Sequence, residues 1–257
     1  CNYISGSWNS IGGGRLNSIC NKASNSVIGG GCFNRICTNT SYNTIGGGRA
    51  NSTDVSTSCS TIVGGQSNTL CCANHSTILG GLNNIICKSN CSIIGGRQNC
   101  ICDSNAGYNT LSGGGYSSIC APSHGCHTIA GGWDHCINVG GNKNTISGGG
   151  GHCILCNIEN GTIAGGASNL ICRTSGFDYG STIGGGAANC IVGSPCWSTI
   201  AGGCLNCTTS DRTFIGGGHL NTGSGACSVI GGGSNNHAAG IASSIVGGIN
   251  NIAEGDF

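Results

Sequence analysis

The sequence predicts an all-β chain, a parallel β-solenoid (β-roll) of about fifteen short coils of about 17 residues each. Three observations lead there. An apolar anchor followed by a Gly pair recurs at Ile11, Ile28, Ile45, Ile62, Ile78, Ile93, Leu111, Ile129, Ile146, Ile163, Ile183, Ile200, Ile215, Ile230 and Ile245. Successive anchors lie 17, 17, 17, 16, 15, 18, 18, 17, 17, 20, 17, 15, 15 and 15 residues apart, and each change of length falls in the stretch before the next anchor. Eight residues past the anchor the chain is again apolar, at Ile19, Ile36, Leu70, Ile86, Ile101, Ile119, Ile137, Ile154, Ile171 and Ile191. A period near 17 is too short for paired-helix repeats of roughly 33 residues or more and suits one coil of a β-solenoid. A Gly- and Asn-rich linker would have no need to keep the anchors in register.

Composition sets the outer limits. The chain has 257 residues, only 7% of them charged, with no Met, two Pro, 52 Gly and 22 Cys. That is neither an ordinary globular domain nor a charged disordered one. A net charge of +1 gives no reason to expect nucleic acid. No apolar run approaches the roughly 18 residues of a membrane helix, so membrane insertion is not expected, and no N-terminal signal is visible. The chain opens inside a copy and stops at "NNIAEGDF", where the pattern calls for another unit. Residues 1–257 therefore read as one array, either a segment of a longer one or a unit that stacks end to end, because solenoid termini need caps.

Within a coil, side chains alternate between faces, so positions an even number from the anchor point inward. The two Ile columns form the core. Between them, six after the anchor, stands an Asn column that includes Asn17, Asn34, Asn51, Asn68, Asn84, Asn99, Asn169, Asn189 and Asn206. Stacked about 4.8 Å apart, these amides can hydrogen-bond up and down a ladder. The Gly pair reads as the corner between two short strands. One before the anchor, and facing outward, lies a Thr column: Thr44, Thr61, Thr77, Thr110, Thr128, Thr145, Thr162, Thr182 and Thr199. That face is flat, mildly apolar and nearly uncharged, the kind of surface that marks a contact.

The cysteines also form columns. Seven sit nine after an anchor (Cys20, Cys37, Cys71, Cys87, Cys102, Cys120, Cys172) and five sit seven after (Cys100, Cys136, Cys153, Cys190, Cys207). Equivalent Cα atoms about 4.8 Å apart fall inside the range for a disulfide, about 4.4 to 6.8 Å. The expected rungs join Cys20 with Cys37, Cys71 with Cys87, Cys102 with Cys120, Cys136 with Cys153 and Cys190 with Cys207, which implies an oxidising setting. Metal is the competing reading, and His135, Cys136, His152 and Cys153 are its best candidates. Zinc needs four convergent ligands, and residues of one flat coil diverge, so no metal or other cofactor is assigned. Six sequons occur. Asn51 and Asn206 belong to the inward ladder and should stay bare, whereas Asn39, Asn74, Asn90 and Asn160 lie in variable turns open to a glycan.

The unit "STIAGG..N.I", seen also as "NTIGGGRAN" and "SVIGGGSNN", resembles the head repeats of trimeric autotransporter adhesins over essentially the whole chain. The resemblance implies a left-handed parallel β-roll, three chains packed side by side, and a surface fibre that binds host surface or matrix. One departure stands out: those passengers are generally poor in Cys, and this chain has 22. Cys-rich versions of the repeat are reminiscent of giant-virus surface proteins. The expected function is accordingly structural and not enzymatic: an extracellular or virion-surface, adhesin-like shaft of disulfide-braced coils. It would self-associate as a side-by-side trimer or an end-to-end filament. The alternative from another class is an ice-binding solenoid that uses the Thr column, although Val27, Phe214 and Val229 interrupt it. No GxSxG elbow, haem signature or phosphate loop occurs. A carbohydrate-binding or carbohydrate-degrading β-helix is the remaining enzyme-class possibility, without a recurring carboxylate pair to support it.

Overall fold

The repeat gives each coil two apolar positions separated by a Gly corner, and each of them nucleates a very short strand. A computed structural model of the chain describes residues 1–102, 107–122, 125–174, 176, 178–193 and 196–255. Every anchor forms a strand with the residue before it, as in Thr44–Ile45 and Thr77–Ile78. A second strand holds the apolar position eight residues on, as in Ser18–Ile19 and Ile85–Ile86. Equivalent strands pair in parallel without slippage, so Thr44 and Ile45 lie beside Thr61 and Ile62, and Ile86 beside Ile101. All the regular structure of the described residues is β, and the chain is a parallel β-solenoid of about fourteen turns, about 17 residues apart.

Contacts group the chain into two compact units: residues 1–120 with 124–127, and residues 121–123 with 128–257. The first unit carries the anchor strands from Ser10–Ile11 to Thr110–Leu111, and the second those from Thr128–Ile129 to Ser244–Ile245. Both use the same core. Anchors Ile28, Ile45, Ile62, Ile146, Ile163 and Ile200 are fully buried, as are Ile19, Ile36, Ile137 and Ile171 of the second column. Toward the end of the second unit that column thins to Thr208, Gly223 and Ala238.

The Asn column is buried from Asn17 to Asn236, but its bonding differs from a chain of stacked amides. Asn34 Oδ1 accepts the backbone N–H of Asn51 (3.0 Å), while its Nδ2 donates to Gly30 O in its own coil (2.9 Å) and Gly48 O in the next (3.0 Å). Side chain therefore bonds mainly to backbone. Each carboxamide supplies what the Gly corner lacks, an acceptor for one N–H and donors for two carbonyls that turn away from the sheets. Direct amide-to-amide contacts join only some members, for example Asn206 Nδ2 to Asn189 Oδ1 (3.1 Å).

Two features go beyond the sequence pattern. A second buried polar column runs two residues before the anchor, through Ser26, Asn43, Ser60, Ser76, Asn144 and Ser198. Asn43 Oδ1 accepts the Ser60 N–H (3.1 Å), and Asn43 Nδ2 donates to Thr57 O (2.7 Å), so it does for the other corner what the Asn column does for the Gly corner. The corners also place non-Gly residues in the left-handed region, among them Leu16 (φ 56°), Phe33 (φ 61°) and Tyr42 (φ 57°). That conformation costs roughly 1 to 2 kcal/mol per residue, and the two polar columns hold it. The widest spacing, between Ile163 and Ile183, adds a small parallel pair, Ile158–Glu159 with Asp178–Tyr179.

Candidate functional site

The chemistry of the surface separates by sheet face. On the anchor sheet two positions per coil point outward, the residues before and after the anchor. Over fifteen anchors these thirty positions hold only Thr, Ser, Gly, Ala, Val, Leu, Ile and Phe, without one charge or cysteine. The nine Thr of the predicted column all lie beside buried anchors; Thr44 is exposed and the others are half-buried. In register, Thr128, Thr145, Thr162, Thr182 and Thr199 stack on consecutive strands. In the first unit the residue after the anchor is aliphatic and exposed on three consecutive coils, at Val63, Leu79 and Ile94.

The outward face of the other sheet carries twelve of the 22 cysteines together with Arg35, Asp54 and Glu254. Register sets Cys136 beside Cys153 and Cys190 beside Cys207. The Leu70, Ile86, Ile101 and Ile119 register likewise stacks Cys71, Cys87, Cys102 and Cys120, so Cys87 and Cys102 each have a cysteine above and below. The structure shows no sulfur–sulfur bond at any of the five expected rungs, from Cys20 with Cys37 through to Cys190 with Cys207. Geometry gives the reason. In-register parallel strands hold their Cα–Cβ bonds parallel, which leaves Cβ atoms at the strand spacing of about 4.8 Å, against about 3.5 to 4.5 Å in a disulfide. Register thus brings these cysteines together without closing a bond.

Burial pushes the Cys71 thiol up to about 11 and Cys87 up to about 12. The hydrogen bond between Cys190 and Cys207 acts oppositely on its two ends: it raises Cys190, which keeps the proton, and lowers Cys207 to about 7. Sulfurs also meet elsewhere, Cys100 Sγ with Cys102 Sγ at 2.9 Å, two residues apart in one coil, and Cys156 Sγ with Cys172 Sγ at 3.2 Å between strands.

The metal grouping comes apart on alternation. His135 and His152 are buried in the Asn column, while Cys136 and Cys153 point outward from the same strands. Among the described residues no three His, Cys, Asp or Glu side chains gather as a metal would require. Of the glycan candidates, Asn39 and Asn160 are exposed, and Asn74 and Asn90 are half-buried. Asn74 Oδ1 also accepts the Ser58 N–H (2.7 Å); Asn51 and Asn206 are fully buried. No pocket is present among the described residues. Compared with known protein families the sequence matches none, and no curated protein matches it.

Proposed function

We propose that this chain is a structural shaft that associates side by side with copies of itself through the uncharged outer face of the anchor sheet. The observation that carries the reading is a difference between the two sheets: thirty outward positions without a charge or a cysteine on one, and twelve cysteines with Arg35, Asp54 and Glu254 on the other. A flat sheet of Thr methyls, Gly and aliphatic side chains gains free energy when a like face covers it, at about 25 cal/mol per Å² of apolar area. No buried ion has to lose its water in the process. Three-fold packing is what the resemblance to trimeric adhesin heads implies. The setting that goes with it is the outside of a cell or virion, with any host contact made by the assembled fibre. Sedimentation of the purified chain tests this: a trimer or larger species at micromolar concentration supports it, and a monomer overturns it.

A second reading rests on the run of five Thr from Thr128 to Thr199 on consecutive strands. A regular hydroxyl row on a rigid face can order water as ice does. Thermal hysteresis in dilute solution separates the two readings, since a face covered by a second copy cannot meet ice.

A further inference from the structure

The geometry points to Cys156 and Cys172 as a disulfide-forming pair, a modification site that clamps two successive coils. Their sulfurs are 3.2 Å apart, inside ordinary non-bonded contact, although the two residues do not face each other in the sheet. In the register Leu155 faces Cys172 and Cys156 faces Val139, so the pair is diagonal. Cys156 stands at φ 71°. That left-handed turn at the end of its strand swings the side chain off the perpendicular and back toward Cys172. The parallel Cα–Cβ bonds that keep Cys136 from Cys153 and Cys190 from Cys207 therefore do not apply here. Cys100 and Cys102 are closer still, but they lie two residues apart in one coil, where a bond would join no coil to its neighbour, and Cys102 also stacks with Cys87.

Access divides the labour. Cys156 is exposed, whereas Cys172 is half-buried and burial helps to keep it protonated. With a small disulfide RSSR as oxidant, the Cys156 thiolate attacks one sulfur, forms the mixed disulfide Cys156–S–SR and releases one RS⁻. Cys172 then gives its proton to solvent, attacks the Cys156 sulfur and expels the second RS⁻, so that two thiols and RSSR become one protein disulfide and two RSH. The bond would tie the Cys153–Cys156 strand to the Leu170–Arg173 strand at the foot of the small pair Ile158–Glu159 and Asp178–Tyr179.

Oxidised glutathione is added to the full chain under native conditions, followed by alkylation and peptide mapping without reduction. The expected first product is a cross-linked peptide joining Cys156 to Cys172, lighter by two hydrogens. In Cys172→Ser the reaction stops at glutathione on Cys156, and in Cys156→Ser no cross-link to Cys172 forms. The inference is overturned if both residues alkylate in the wild-type chain, whether or not Cys136–Cys153 or Cys190–Cys207 cross-links. It is equally overturned if Cys172 pairs with Cys190.

Discussion

His135 Nδ1 accepts the backbone N–H of His152 (3.2 Å), and the two rings stack with centroids 5.0 Å apart and 3° between their planes. His152 Nδ1 repeats the bond to the Asn169 N–H (3.1 Å). Each imidazole thus takes the place of the ladder Asn, with Nδ1 standing for Oδ1. An accepting Nδ1 carries no proton, so the rings are neutral with hydrogen on Nε2. Burial is the main cause holding both below the ordinary 6.5, and for His135 the charge its neighbour would carry adds to it.

The sign of the pH dependence follows. As pH falls through 6.5 the unfolded chain takes up protons that the native pair still refuses, so the contribution of the pair is complete above that value and lost below it. The urea midpoint should drop between about pH 7.5 and 5.5. The double variant His135→Asn with His152→Asn restores the usual ladder residue and should remove most of that drop. An unchanged pH profile in the double variant would contradict the assignment.

Asn51→Ala removes an acceptor from the Asn68 N–H (3.0 Å) and donors from Gly47 O (2.9 Å) and Gly65 O (3.0 Å), all around a fully buried side chain. Buried groups left without partners cost about 1 to 3 kcal/mol each. A loss of about 3 kcal/mol or more is expected by chemical denaturation, against less than about 0.5 kcal/mol for Ser18→Ala on the outward side of a strand. Similar losses in the two variants would mean that the ladder is not what holds the corner.

The two corner glycines are not equivalent. Gly48 sits at φ +87°, and a Cβ there would strike the carbonyl oxygen of Gly65, whereas a Cβ on Gly47 meets nothing within 4 Å. Gly48→Ala should prevent the soluble fold, and Gly47→Ala should express and melt like the parent, as read by circular dichroism and melting temperature. Equal tolerance of both substitutions would place the corner elsewhere.

The repeat was legible because one residue type fills each of its main columns: Ile at the two core positions, Asn between them, Gly at the corner. The second polar column was not, because Ser26, Asn43, Ser76, His127 and Thr213 share a burial and not a letter. Any short donor or acceptor that reaches the backbone serves at that corner. The cysteine columns were legible as positions, since sequence spacing reports which residues share a register, but spacing does not report how far apart their sulfurs stand. Cys156 meets Cys172 only through a left-handed backbone angle, which no spacing rule contains. His135 and His152 looked like ligands by residue type, and only their inward direction makes them ladder members.

The most direct test of the central claim is a matched pair of single charges placed on opposite sheets of the same coils. Thr77 lies on the uncharged face beside exposed Leu79, and Thr69 points outward from the other sheet; both are half-buried and in strands. A charge buried without a partner at an interface costs about 3 to 5 kcal/mol, which is more than 100-fold in association. Sedimentation velocity should therefore find the parent chain and Thr69→Asp assembled to the same size, and Thr77→Asp dissociated with an unchanged β spectrum. A Thr77→Asp chain that assembles as the parent does, or a Thr69→Asp chain that falls apart alone, would contradict the assignment of the anchor sheet as the surface through which the protein works.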